Sequence, residues 1–297
     1  MVKSPLTGKE AIIEKEIDPA EIEEGYKNNF CIEVNYLIKG KNIQLYNCID
    51  SGFRFFYPPD ISGDGKFYAA LQKFDWYYIP WKWEHEICKS FILKNYKVLE
   101  VGCAKGDFLK RIIEEVNVEA IGLELNKEAI LEGKKNNITI LDETVQEHAT
   151  KHKEEYDVVC SFQVLEHISE VKSFIQAQVD CLKEKGKLII SVPNNDSFIN
   201  LDYNLLNLPP HHMGLWNPDS IKSLENIFNI KLMKIYVEPL QEIHFQWYYY
   251  NHIKKLHSKN IFFGKLIEKL TKPFYKRFLS IIKNFIKGHT ILAVFEK

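Results

Sequence analysis

Five short apolar runs, separated by stretches of helical spacing, constrain what this chain can fold into more than any other feature. They lie at 97–101, 119–125, 138–142, 156–162 and 187–192. Each is almost continuously apolar rather than alternating, as in strands buried on both faces. Between the first two, Phe108, Leu109, Ile112, Ile113 and Val116 fall at helical spacing in 106–116, and Asn126 is placed to cap a helix after the second. A further helix is expected from Ser169, with Val171, Phe174, Ile175, Val179 and Leu182 on one face and Gly186 ending it. Strands at 230–238 and 289–297 bring the count to seven. The pattern predicts an α/β, doubly wound, mostly parallel sheet covered by helices.

The rest of the 297 residues divides around this core. Residues 1–66 are turn-rich and read as a small, irregular N-terminal module. The core is assigned to 67–240 and begins with an aromatic segment, 67–93, expected to form one or two helices. A basic helical insertion, 241–288, precedes the final strand, 289–297. The net charge of −1 conceals an asymmetry, because residues 251–288 hold nine Lys and one Arg against one Glu, leaving the remainder at −10. No apolar run approaches a membrane span, and the first residues are too polar and acidic for a signal peptide. Six scattered cysteines without a C-x-x-C pair fit a reducing compartment. A cytoplasmic location follows as the expectation.

The turn after the first strand reads Glu100-Val101-Gly102-Cys103-Ala104-Lys105-Gly106-Asp107. A glycine turn there normally faces a nucleotide-like ligand. Asp107 stands where a dinucleotide fingerprint needs its last glycine, and its carboxylate would oppose a pyrophosphate, which disfavours a nicotinamide-dependent oxidoreductase. No G-K-[ST] follows, so a P-loop is excluded. Glu124 ends the second strand eighteen residues beyond Gly106, where an acid accepts hydrogen bonds from a ribose diol. Two carboxylates around a glycine turn suit a ligand with a ribose and a charged amine but no phosphate.

With "VLEVGCAKGDFL", "GLELN", "LDETVQEHA", "YDVVCSFQVLEHI" and "LKEKGKLIISVPN" in register, the chain resembles the class I S-adenosylmethionine-dependent methyltransferases over 95–240 and the final strand. Within that class it is similar to bacterial surface-polysaccharide and quinone-type O-methyltransferases. The resemblance implies a Rossmann-like seven-stranded sheet and S-adenosylmethionine as cofactor. It also implies that Glu100, Gly102 and Gly106 shape the site around the methionine part, and that Glu124 and the adjoining Leu125 meet the ribose. Thr144 and Val145 would lie along the adenine, and Phe162 and Gln163 beside the sulfonium. Ala104 departs from the family, which usually has glycine there.

Methyl transfer to an oxygen needs the acceptor's proton removed, and histidine is the usual base. His167 lies at the carboxyl edge of the fourth strand, although its "LEH" element also reads as a helix-start packing element. His211 and His212 follow the fifth strand in a loop stiffened by Pro209 and Pro210. Quinone-type relatives carry a carboxylate where this chain has Gln163. Glu166 and His167 alone would hold Mg²⁺ poorly, so no metal is assigned. Trp76, Tyr77, Tyr78, Trp81 and Trp83 form either core packing or a lid over the cofactor.

Ser4-Pro-Leu-Thr7-Gly8 and Cys48-Ile-Asp-Ser51-Gly52 have the shape of two zinc knuckles with most ligands replaced, so the N-terminal module resembles a degenerate zinc ribbon without metal. The expected acceptor is a sugar, glycan precursor or related small metabolite, with no nucleic-acid partner. A catalytically silent cofactor-binding module is the competing reading. Residues 253–287, divided by Pro273, interleave Lys with Ile, Leu and Phe. They are expected either to pack on the core or on a second copy, or to touch an inner membrane surface.

Overall fold

The computed structural model describes residues 1–74, 76–77, 79–201 and 203–297. Tyr78, counted above among the aromatic segment, lies outside the described residues. Along the chain, the N-terminal region forms β1 (Ala11–Ile17), α1 (Pro19–Phe30), α2 (Asn35–Ile38), β2 (Ile43–Cys48) and β3 (Arg54–Tyr57). The aromatic segment supplies two helices, α3 (Gly65–Leu71) and α4 (Trp83–Lys89). The alternating core follows as β4 (Lys97–Val101), α5 (Asp107–Val116), β5 (Glu119–Leu123), α6 (Lys127–Lys135), β6 (Ile140–Leu141), α7 (Val145–Ala149), β7 (Tyr156–Phe162), α8 (Val171–Cys181) and β8 (Leu182–Pro193). The chain ends through β9 (Gly214–Leu215), α9 (Pro218–Lys222), α10 (Leu224–Phe228), β10 (Lys231–Pro239), α11 (Phe245–Lys259), α12 (Ile261–Thr271), α13 (Tyr275–Ile282) and β11 (Lys287–Glu296).

Seven strands form one sheet in the order β10-β11-β8-β7-β4-β5-β6. The pairs from β8 to β6 are parallel, and β11 runs antiparallel to both its neighbours. The doubly wound expectation therefore holds, with the chain reversing its direction of winding between β4 and β7. That reversal opens a crevice at the carboxyl ends of the strands, where such sheets bind ligands. Val98, Leu99, Val158, Val159, Cys160, Leu188 and Ile189 are fully buried, as continuous apolar strands covered on both faces must be. Asn126 caps α6, its Oδ1 accepting from the Glu128 N–H at 2.8 Å. The expected boundary at Gly186 shifts, because α8 ends at Cys181 and Gly186 sits inside β8.

The N-terminal region is regular where the sequence reads as irregular. Its three strands are paired, and β9, from the core's own loop, adds a fourth strand beside β3. Trp216 is fully buried, 4.2 Å from Phe53 between ring centroids. Leu6, Cys48, Phe53 and Phe55 share one apolar cluster with the main sheet. The two knuckle-like turns meet: Thr7 Oγ1 and Cys48 Sγ share a 3.2 Å hydrogen bond, and the buried Ser4 and Ser51 adjoin them. Burial alone would raise the Cys48 thiol, but the hydroxyls of Ser51, Thr7 and Ser4 outweigh it and lower it from its ordinary value.

Pro273 separates α12 from α13 as expected. A second break at Asn260, whose Oδ1 accepts from the Phe263 N–H at 3.0 Å, makes three helices of the insertion rather than two. Its apolar stripe packs inward in part, through Phe245, Tyr249 and Ile253 of α11 and through Leu279 of α13. Among the residues of α12 and α13 only Gly264 and Leu279 are buried.

Candidate active site

A cavity of about 1300 Å³ opens at the carboxyl edge of the sheet. It exceeds the ~300–1,000 Å³ of an ordinary ligand pocket, leaving room for an acceptor beside a cofactor. Strand ends supply its floor: Glu100 and Gly102 after β4, Glu124 and Leu125 after β5, Thr144 and Val145 after β6. Phe162 and Gln163 at the end of β7 complete that wall. Of the cofactor residues read from the sequence, Gly106 alone does not line the cavity. It is the residue before α5, where φ is 79°, and a Cβ there would stand 2.9 Å from Ile138 Cγ2. Gly106 therefore shapes the turn from behind.

The turn itself is held in left-handed backbone. Gly102 has φ 74°, and a Cβ on it would stand 2.6 Å from Val164 Cγ2. Ala104 has φ 47°, a region that glycine enters more easily, which explains why glycine is usual at this position. Glu124 fastens the turn: its carboxylate accepts from the N–H groups of Ala104 (2.9 Å), Leu125 (2.8 Å) and Asn126 (2.9 Å). Thr144 is committed locally as the N-cap of α7, its Oγ1 accepting from the Glu147 N–H.

Glu100 is buried, and its Oε2 has no hydrogen-bond partner. Burial first, then the charges of Glu124 and Asp107, push its carboxyl far above the usual range. A bound ammonium group relieves such a site by supplying both a partner and a positive charge, so the residues fit S-adenosylmethionine. Glu100, Gly102 and Glu124 would hold it. When bound, it supplies an electrophilic methyl group on a sulfonium.

His167, His211 and His212 also line the cavity. His211 and His212 stack with centroids 4.5 Å apart, and His167 lies 4.6 and 5.0 Å from them. Burial lowers all three below the ordinary imidazole range, His167 to about 4 and His211 to about 3. Neighbouring imidazoles push His211 and His212 further down, while the carbonyls of His211 and Gln163 partly oppose the fall at His167. All three are neutral near pH 7. Tyr68 closes the group, its hydroxyl donating to the His211 carbonyl (3.1 Å) and its ring standing edge-on to His167.

Sequence reading missed two acids of this cavity, Glu84 and Glu238, and gave Glu166 no role beyond a weak metal ligand. Glu166 adjoins His167 in sequence, which was the available signal. It is buried, its Oε2 lacks a partner, and burial raises its carboxyl to about 8. Glu84 accepts from Gln163 Nε2 (3.4 Å), and Glu238 accepts from the Thr290 N–H (3.1 Å). Glu238 lies on β10, which only the sheet order brings to this edge. Burial, then the nearby Glu84, raise its carboxyl to about 7.

The raised Glu238 carboxyl makes stability fall with pH. An acid whose folded pKa lies above its unfolded value stabilises the fold below the unfolded pKa and loses that contribution as pH rises through about 7. Glu238→Gln should therefore match the wild type near pH 4.5 and become more stable than it by roughly 1–3 kcal/mol at pH 8. Denaturant titrations at the two pH values measure the difference.

Of the aromatic segment, Trp76, Tyr77, Trp81 and Trp83 line the cavity. Trp81 stacks on Phe108 at 5.9 Å, with the Arg111 guanidinium 3.9 Å from its ring centroid. Trp76 remains 45% exposed at the rim, stacked on Phe74.

A seven-stranded sheet of this order, with an acid-bracketed glycine turn at its switch point, defines an S-adenosylmethionine-dependent methyltransferase. A family model described as a methyltransferase domain matches residues 76–234, and the chain belongs to that family. The ubiquinone biosynthesis O-methyltransferase of Salmonella enteritidis is 31% identical over 106 residues. That match covers 34% of this chain and 43% of the relative, less than half of its length. Among solved structures, an S-adenosylmethionine-dependent methyltransferase from Archaeoglobus fulgidus aligns with a TM-score of 0.49 at 16% identity, covering 72% of this chain and 94% of the other. Coclaurine N-methyltransferase, bound to N-methylheliamine and S-adenosylhomocysteine, aligns with a TM-score of 0.48 at 13% identity, covering 72% and 71%.

Proposed function

We propose that the enzyme methylates an oxygen of a sugar, glycan precursor or related small metabolite. The observation that carries this reading is the acceptor wall. His167, His211 and His212 line the cavity as neutral imidazoles, each able to accept a proton. A hydroxyl acceptor must lose a proton as its new bond forms, whereas a neutral amine attacks through its own lone pair. Trp76, Tyr77 and Trp83 on the adjoining wall offer aromatic faces suited to the C–H face of a sugar ring. The relative's O-methyltransferase activity supports the same choice of atom. In this reading the N-terminal unit is a zinc-ribbon-like module whose ligand positions now hold hydroxyls and one thiol. The test is methyl transfer from labelled S-adenosylmethionine to nucleotide sugars and to a metabolite extract, with the product's methylated atom assigned by mass spectrometry and NMR. A methyl ester or ether supports the proposal; a methylamine or a methylated carbon overturns it.

The same proposal places α12 and α13 on an anionic membrane surface. Among the described residues no helix is long and apolar enough to cross a membrane. Yet Phe262 (85%), Ile281 (72%) and Phe285 (90%) are exposed among Lys265, Lys269, Lys272 and Lys276, which are exposed too. Apolar anchors beside lysines match a surface-bound amphipathic helix. Three lysines at about 1 kcal/mol each would favour anionic over neutral vesicles by up to roughly 100-fold. Co-sedimentation should show that preference, decline with salt, and be lost in a Phe262→Ser, Phe285→Ser variant. No sedimentation at low salt, with a dimer by light scattering, would instead make this face a contact between copies.

A further inference from the structure

Proton transfer alone does not require the tautomers in which the three histidines are held. His167 donates from Nδ1 to the His211 carbonyl (2.6 Å), and His211 donates from Nδ1 to the Leu206 carbonyl (2.8 Å). A carbonyl oxygen only accepts, so both protons are assigned by their partners. His212 donates from Nδ1 to Asn207 Oδ1 (3.0 Å). That amide is oriented by a relay anchored on the main chain. Asn195 Nδ2 donates to the Trp216 carbonyl (3.1 Å), which turns Asn195 Oδ1 toward Asn207 Nδ2 (2.8 Å) and so leaves Asn207 Oδ1 facing His212. Each ring is thus left with its lone pair on Nε2.

One ring nitrogen of each histidine lies within 4.8 Å of one from each of the other two. His211 Nε2 is buried without a hydrogen-bond partner, an omission that destabilises the fold unless something fills it. Outer-shell donation from the second ring nitrogen to a carbonyl or carboxamide is the arrangement that orients histidine for a metal. Two further imidazoles also change the ligand count, because reading from sequence weighed only Glu166 and His167 and assigned no metal.

We infer that His167, His211 and His212 form a site for a divalent ion of the zinc class, bound through their Nε2 atoms. Three imidazoles suit Zn²⁺, Co²⁺ or Ni²⁺, whereas Mg²⁺ and Ca²⁺ take oxygen ligands. Bonds of about 2.0–2.1 Å in tetrahedral geometry place nitrogens roughly 3.3 Å apart, so closing the site requires the stacked His211 and His212 rings to turn toward a common point. With three protein ligands, the fourth position belongs to water or to a molecule in the cavity that all three line. The inference rests on the ligand geometry and not on the identity of the methyl acceptor.

The 297-residue chain, freed of metal with a chelator and titrated with Co²⁺ without cofactor or acceptor, tests it. One Co²⁺ per chain with the strong visible band of a tetrahedral site, displaced by Zn²⁺, is the expected result. His211→Ala and His212→Ala should each abolish the band, and Asn207→Ala should weaken binding about 10–100-fold. Nitrogen NMR of the wild-type chain avoids dependence on variants that fail to fold: Zn²⁺ should shift the Nε2 signals of these three histidines and leave the other seven of the chain's ten unchanged. Absence of the band, or binding unaltered in the histidine variants, overturns the inference. Neither result depends on methyl transfer, so failure of this site and failure of the proposed O-methylation are read separately.

Discussion

The His211→Ala, His212→Ala double variant is expected to lose about 10²–10⁴ in turnover while still binding S-adenosylmethionine. The separation follows from where these side chains are anchored. Their ring partners are the Leu206 carbonyl and Asn207, both on the loop that follows β8. The glycine turn depends instead on Glu124 and on the Leu123 carbonyl, which accepts from the N–H groups of Gly102 and Cys103. Removing the imidazoles therefore empties the acceptor wall without loosening the cofactor's side of the cavity. Single-turnover rates with labelled cofactor measure the loss, and calorimetry measures the affinity. If the double variant, folded by circular dichroism, turns over at near the wild-type rate, the pair has no part in the chemistry and His167 becomes the first residue to test.

Glu124→Ala should show the reverse pattern, with cofactor affinity falling about 10–150-fold in a folded chain. Hydrogen bonds to a charged group contribute about 1.5–3 kcal/mol, and each 1.4 kcal/mol is a factor of ten. This carboxylate has two tasks. It is the acceptor placed for a ribose diol, and it is the strap that holds Ala104 in left-handed backbone through the 2.9 Å bond from its N–H. Alanine abolishes both, whereas Glu124→Gln keeps a single acceptor oxygen and should fall between. Unchanged affinity in the alanine variant would remove Glu124 from the cofactor site.

The doubly wound core and the cofactor half of the site were legible in the sequence because both depend on short-range patterning. Continuous apolar strands, helical spacing and the cap at Asn126 are set by residues within a few positions of one another. The glycine turn and Glu124 follow the ends of adjacent parallel strands, so their register is counted along the chain. The knuckle-like turns at Ser4–Gly8 and Cys48–Gly52 were visible for the same reason. That β9 would complete the N-terminal sheet was not, because a two-residue strand carries no periodic signal and its partner β3 is more than 150 residues away.

The acceptor half was decided by tertiary structure. His167 and the pair His211–His212 could each be named from sequence, but their convergence depends on a loop after β8 folding back over the end of β7. The His212 tautomer depends on Asn207 and, through it, on Asn195 and Trp216. Glu238 reaches the cavity only because β10 and β11 extend the sheet beyond β8. Sequence determined which strands would be buried and where the cofactor turn would lie, since burial pattern and turn chemistry are local. Only the folded chain decided which titratable groups lose water together, because desolvation and proton sharing depend on distances between segments remote in sequence.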